Sequence, residues 1–168
     1  MAGISYQIVW GLGYLHYDNN LHRDIKPGNV LINSKGEVKL SDFGISRSLE
    51  NEEAMSITNV GTFRYMSLER LLGKEYNASA DIWSVGVLLT ELWIGRYPFD
   101  DCGFSTIELV QLLEEMRDEA SAAENADNPD GMFVANLLPP AEYPEPLATF
   151  LLQMLRFDPS KRATARYD

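Results

Sequence analysis

The chain has 168 residues, 14 of them basic and 25 acidic, for a formal net charge of −11. That length suggests one domain, able to bury roughly two thirds of its unfolded surface. Its 45 % hydrophobic and 23 % charged composition excludes wholesale disorder, and the acidic balance argues against nucleic-acid or anionic-membrane partners, which need a basic face.

A lone cysteine, Cys102, rules out an internal disulfide, fits a reducing compartment and reads as an inert thiol beside a turn. The longest apolar run, residues 82–94, is too short and too polar to span a bilayer. The first six residues lack the basic and apolar regions of a secretory signal. A soluble, cytoplasmic protein is expected.

Ile4, Ile8, Leu12 and Leu15 recur at helical spacing and predict an amphipathic helix over about residues 5–17. Gly11 and Gly13 weaken it by roughly 1 kcal/mol each relative to Ala. A short loop, residues 22–29, follows, stiffened by Pro27. Residues 30–32 and 38–40 are β-prone and flank a turn, which reads as a hairpin. Residues 44–67 are polar and aperiodic, and a structureless stretch of that length is usually functional. Residues 81–93 are apolar almost all round, as in a buried central helix, and Gly95 is a plausible stop. Ser105 and Glu108 form a capping box opening a helix with Ile107, Val110 and Leu113. Residues 108–130 carry eight acids and one arginine, best read as a solvated face and loop, with a docking surface for a basic motif as the alternative. Leu147, Phe150, Leu151, Met154 and Leu155 mark one more amphipathic helix. The three tryptophans, Trp10, Trp83 and Trp93, read as core anchors. His16 reads as an ordinary surface or core histidine rather than a ligand.

The chemistry concentrates in His22-Arg23-Asp24-Ile25-Lys26-Pro27-Gly28-Asn29 and, across the hairpin, Asp42-Phe43-Gly44. A hairpin between them lets Asp24, Asn29 and Asp42 converge. One carboxylate and one carboxamide suit Mg²⁺, which keeps waters and takes substrate phosphates as further ligands. A second carboxylate can accept a proton from an attacking hydroxyl. A lysine can offset charge on a transferring phosphoryl group. These are the parts that phosphoryl transfer needs.

These residues resemble the protein kinases: residues 22–29 the catalytic loop, Asp42-Phe43-Gly44 the magnesium-binding triplet, and Ser67-Leu68-Glu69 the Ala-Pro-Glu triplet. Gly61-Thr62, Tyr65-Met66, residues 81–86, Asp158-Pro159 and Arg162 follow in the family's order, so the resemblance covers nearly the whole chain. Val60-Gly61-Thr62, residues 65–70 and residues 95–99 are similar to the mitogen-activated protein kinase kinases.

The resemblance implies a mainly α fold: the C-terminal, large lobe of the kinase α+β architecture, spanning residues 1–168, with a small catalytic-loop β-hairpin and an activation segment at 44–69. It implies Asp24 as catalytic base, Asn29 and Asp42 as Mg²⁺ ligands, and Lys26 as the contact to the transferred phosphate of ATP. A lysine there is similar to Ser/Thr and dual-specificity kinases. His22 and Phe43, with Gly44 beside it, look structural. Asp81 looks like the brace of the catalytic loop, and Glu69 and Arg162 like a buried ion pair. Thr62 looks like the threonine that bonds the catalytic Asp at the acceptor site. Thr58 matches one activating phosphoacceptor of the kinase kinases. Ser56 stands in for the other, whose usual position is Ala54. Arg23 and Arg47 are candidate phosphate receivers.

The implied partners are a protein substrate, by resemblance a mitogen-activated protein kinase, and an upstream activating kinase. Two features depart from the family. Leu68 replaces the usual proline and is expected to loosen the turn before Glu69. The 168 residues also contain no Gly-rich phosphate loop, no strand lysine with its helix glutamate, and no adenine hinge. A second reading, from a different class, is therefore a non-catalytic binding module.

Overall fold

A computed structural model describes residues 2–42, 62–99, 105–122 and 144–165. Phe43, Gly44, Arg47, Ser56, Thr58 and Cys102 lie outside them, as does the acidic stretch beyond Ala122. Helix α1 spans Ala2–Tyr17, three residues longer at its start than the periodicity alone predicts. Ile8 and Leu12 on its inner face are fully buried. Its opposite face corrects one expectation. Trp10 is half-exposed, together with Tyr6, Tyr14 and Tyr17, so it is no core anchor. The isoleucine and leucine stripe already fills the inward side, and Trp10 falls on the other side of the helix.

Strands β1 (Val30–Ile32) and β2 (Val38–Leu40) form the expected antiparallel hairpin, pairing Val30 with Leu40 and Ile32 with Val38. Asn33 closes the turn by accepting from the amides of Lys35 and Glu37 at 2.9 and 3.0 Å. Gly36 supplies the left-handed residue, with φ at 77°. Gln7 pins the hairpin to α1. Its Oε1 accepts from the Val38 amide at 2.9 Å and its Nε2 donates to the Gly36 carbonyl at 3.1 Å.

The short helix α2 (Leu68–Leu71) follows a 3₁₀ turn at Thr62–Tyr65. Leu68 is buried, and the amides of Arg70 and Leu71 both donate to Ser67 O at 3.0 Å. Leu68, in the place of the usual proline, thus turns its side chain into the core.

Helix α3 (Ser79–Ile94) is the centre of the molecule. Every residue from Ser79 to Thr90 is buried. Gly95 ends it at φ 74°, its amide donating to Glu91 O at 2.9 Å. Against it packs α5 (Glu145–Met154), with Leu151 and Met154 buried, while α4 (Thr106–Ala122), with Leu109 and Leu113 buried, packs on α2 and the Thr62–Tyr65 turn. Trp83 is fully buried, with its ring centroid 5.4 Å from that of Phe157. Among the described residues no helix is long and apolar enough to cross a membrane.

Gly86 lets α5 approach α3 closely. A Cβ there would lie 2.8 Å from Leu155 Cδ2 and 3.0 Å from Met154 Cβ. At Gly11 a Cβ would meet nothing nearer than Leu40 Cδ1, at 3.8 Å. The two helical glycines should therefore respond oppositely to alanine. Gly86→Ala is expected to cost about 1–2 kcal/mol net, overpacking exceeding the gain in helix propensity. Gly11→Ala is expected to add about 0.5–1 kcal/mol. Urea midpoints decide, and equal shifts would contradict the packing described.

Candidate active site

The loop between α1 and β1 has an unusual backbone. Arg23 has φ 69° and Asp42, just past β2, has φ 59°. A non-glycine residue in the left-handed region costs about 1–2 kcal/mol and persists only where its surroundings over-determine it. At Arg23 the surroundings do so. Asp81, in the first turn of α3, accepts from the amides of His22 and Arg23, each at 2.8 Å. Its Oδ2 also meets His16 Nε2 at 2.9 Å. From the other side, Arg70 Nη1 donates to the Arg23 carbonyl at 2.8 Å.

Asp81 and His16 are each 2 % exposed. Burial alone would raise the Asp81 carboxyl, but the bonds from His16, Arg23 and His22 outweigh it and hold it below the usual carboxylate range. His16, read as a surface or core histidine rather than a ligand, is a core one. Its pairing with the carboxylate that carries the loop, across a 65-residue separation from Asp81, leaves no local signal. His22 is fully buried. Burial lowers its imidazole below the ordinary value, against the opposing pull of the Asp81 and Asp24 charges. Its Nδ1 accepts from the Asp24 amide at 3.4 Å.

The polar side chains of the loop are brought together. Lys26 Nζ lies 2.9 Å from Asp24 Oδ2, with the two side chains 23 % and 25 % exposed. Asn29 Nδ2 donates to Asp24 O at 2.7 Å and to Asp24 Oδ2 at 2.9 Å. Asp24 Oδ1 is buried and takes no hydrogen bond among the described residues. Pro27–Asn29 form a 3₁₀ turn that folds Asn29 back over Asp24. Ser41, next to Asp42, donates its amide to Asn29 O at 2.9 Å, and its hydroxyl reaches Asp42 Oδ2 at 3.1 Å. The hairpin thus returns the exposed Asp42 to the neighbourhood of the buried Asn29. Of Thr62 only the backbone is described, at the head of the Thr62–Tyr65 turn.

The donor set fits a hard cation. The two bonds from Asn29 Nδ2 to Asp24 turn the amide so that its Oδ1, not its nitrogen, faces away from that carboxylate. Asp42 adds a solvent-accessible carboxylate. One amide oxygen and one carboxylate suit Mg²⁺, which fills its remaining positions with water and phosphate oxygens. Among the described residues no group of three or more His, Cys, Asp or Glu side chains could enclose a metal.

Behind the loop lies a second ionic contact. Arg162 grips Glu69 in a two-pronged pair, Nη1 to Oε1 at 2.5 Å and Nη2 to Oε2 at 2.9 Å. Its remaining donors reach the carbonyls of Arg156, Phe157 and Ser79, and its guanidinium lies 5.0 Å from the Trp83 ring. Burial pushes the Glu69 carboxyl up, but the Arg162 bonds and charge bring it below its ordinary value. Nearby, Tyr65 donates to Glu91 at 2.5 Å. Burial and that bond raise its phenol well above the usual range.

The family model described as "Protein kinase domain" matches residues 1–167. The chain belongs to the protein kinase family. Among curated relatives, it is 34 % identical over 172 residues to mitogen-activated protein kinase kinase 2 of Arabidopsis thaliana, covering 99 % of this chain and 43 % of that protein. It is 39 % identical over 183 residues to the dual specificity mitogen-activated protein kinase kinase mek-2 of Caenorhabditis elegans, covering 97 % and 46 %. It is 39 % identical over 168 residues to mitogen-activated protein kinase kinase 5 of Leishmania mexicana, covering 98 % and 29 %. The kinase chain therefore spans less than half the length of these relatives, and it is mitogen-activated protein kinase kinase-like.

Two predictions follow from the ionic contacts. The carboxyls of Asp81 and Glu69 are depressed in the folded state, so protons bind the unfolded chain first as pH falls. Their contribution should be complete above the ordinary carboxylate values, near pH 4, and should be lost as pH falls below them. Asp81→Asn is expected to cost about 1–3 kcal/mol at neutral pH and to flatten the acid limb of a urea-midpoint against pH plot. Separately, Arg162→Met should cost about 3–5 kcal/mol, because it strands Glu69 as a buried charge. Adding Glu69→Gln should recover part of that loss. A double variant as unstable as the sum of the two singles would contradict the pairing.

Proposed function

We propose that this chain carries the large-lobe half of an ATP- and Mg²⁺-dependent protein serine/threonine kinase, of dual-specificity type, which transfers the γ-phosphoryl group to a hydroxyl of a protein. The observation that carries the reading is the Lys26–Asp24–Asn29 arrangement on the strained loop above Asp81. Bound Mg²⁺ supplies charge stabilisation to the phosphates. Asn29 Oδ1 and Asp42 are the residues that would hold it. Asp24 keeps one buried carboxylate oxygen without a described partner. In this reading that oxygen accepts the proton of the attacking hydroxyl. Lys26 neutralises charge on the transferring group and, through its 2.9 Å contact, fixes the rotamer of Asp24.

By the names of the relatives, the substrate proposed is a mitogen-activated protein kinase, and the regulator is an upstream kinase. Residues 44–69 serve as the activation segment in this reading. Thr58, with Ser56 as second acceptor, takes the activating phosphate, and Arg23 and Arg47 receive it through charge-assisted hydrogen bonds. The cytoplasm is the proposed compartment. A non-catalytic lobe that presents its surface to partners is the second reading.

Calorimetry on this chain measures what its half of the nucleotide site contributes alone. Mg²⁺-ATP is expected to bind no tighter than about millimolar, because the phosphate loop and hinge contribute most of a nucleotide site. Activity is tested with the chain joined to the small lobe of one of its relatives. There, Asp24→Asn should lower phosphoryl transfer by about 10²–10⁴ while leaving the thermal midpoint nearly unchanged. Turnover close to that of the parent would sink the role assigned to Asp24. Thr58→Ala in the same protein should abolish most of the activation by an upstream kinase. A fully activated Thr58→Ala protein would remove Thr58 from that role.

A further inference from the structure

We infer that Arg70 is a positioning residue for the catalytic loop, coupling the turn at Thr62–Tyr65 and helix α2 to the backbone of Arg23 and Asp24. This inference rests on the kinase reading for its consequence in activity, but not for its geometry.

Arg23 is the strained residue of the loop, at φ 69°. Its amide is fixed from α3 by Asp81 Oδ1 at 2.8 Å, and its carbonyl by Arg70 Nη1 at 2.8 Å. The carbonyl of Arg23 and the amide of Asp24 belong to one peptide plane. Rotation of that plane swings the Asp24 amide off His22 Nδ1 and turns the Asp24 side chain away from Lys26 and Asn29. The Asp81 bond fixes only the amide side of Arg23. Losing the Arg70 bond weakens the hold on the Arg23–Asp24 peptide in the left-handed conformation, which a residue with a Cβ disfavours.

Arg70 is itself held in place. Its guanidinium lies 5.1 Å from the ring of Tyr76, a cation–π distance. Its amide donates to Ser67 O at 3.0 Å. Its neighbour Glu69 is locked to Arg162. Consecutive residues thus face two ways: Glu69 ties α2 to the base of the molecule, and Arg70 ties it to the loop. A shift of α2, or of the turn leading into it, moves the donor that sets the Arg23–Asp24 peptide. An ordinary structural arginine on the surface would lack this connection to a strained peptide beside the proposed base.

Two measurements decide. The first is hydrogen exchange on this chain, comparing the parent with Arg70→Ala and Arg70→Lys. Arg70→Ala should speed exchange of the amides in residues 22–25 about tenfold, with the core of α3 unchanged. Arg70→Lys, which keeps a charged donor, should restore much of the protection. Unchanged exchange in residues 22–25 would overturn the clamp, whatever the chain's activity. The second uses the chain joined to a relative's small lobe. Arg70→Ala should lower kcat about tenfold or more with KM for ATP and for the protein substrate within about twofold, and Arg70→Lys should recover part of it. A loop that loosens while kcat stays at the parent value would overturn the positioning role. If Asp24→Asn proves as active as the parent, the kinase reading falls instead, and the exchange result still decides the clamp.

Discussion

The carboxylate of Asp81 sits inside α3, where an isolated charge would be costly. It is stable there because three donors converge on it: His16 Nε2 and the amides of His22 and Arg23. Each donor comes from a segment that would otherwise have to satisfy a buried polar group alone. The carboxylate therefore fixes the end of α1, the start of the loop and the first turn of α3 relative to one another. The backbone at Arg23 can stay in the left-handed region only because this contact holds it, and the side chains that follow inherit their placement. Asp24, Lys26 and Asn29 meet at 2.9 Å contacts on a loop whose shape is set from beneath.

The same principle recurs at Glu69 and Arg162. Neither charge could be buried alone; Glu69 takes two of the five donors of the guanidinium, and the carbonyls of Arg156, Ser79 and Phe157 take the other three. Such a pair adds little net stability compared with an apolar replacement, but it punishes misassembly, because either partner alone is strongly unfavourable. It fixes α2 against the segment around Arg162, and it sits 93 residues apart in the chain. The two buried carboxylates thus set the positions of α2 and α3 by electrostatics, while leucines, isoleucines and Trp83 supply the bulk of the burial.

Much of this was legible in the sequence. The hairpin showed in β-branched residues flanking a turn with Asn33 and Gly36, and the structure places its strands at 30–32 and 38–40. The central helix showed as apolarity around its whole circumference, ended by Gly95. The loop at residues 22–29 and the Asp42-Phe43-Gly44 triplet stood out by resemblance, though Phe43, Gly44, Arg47, Ser56 and Thr58 lie outside the described residues. Trp10 was misread because size suggested burial, whereas the helical phase puts it opposite Ile8 and Leu12. His16 and Arg70 were not legible as parts of the site. Each acts on a partner 47 or more residues away, and no local period or spacing encodes such a contact. Only the fold brings a histidine at the end of α1 to the first turn of α3.

Those separations bear on how the loop acquires its shape. Contacts between residues 58, 59 and 65 positions apart require large loops to close before any hydrogen bond forms, and closure entropy rises with loop length. Local elements such as α1 and the hairpin can form from nearby residues. The strained Arg23 peptide has no such local support, and in isolation it prefers the right-handed or extended regions. It can adopt its native φ only after α3 has brought Asp81 beneath it and α2 has brought Arg70 above it. The geometry that places Asp24 beside Lys26 and Asn29 is therefore a property of the assembled helices and not of the loop sequence. A loop built this way is sensitive to anything that displaces α2 or α3, however far that displacement begins from Asp24, Lys26 and Asn29.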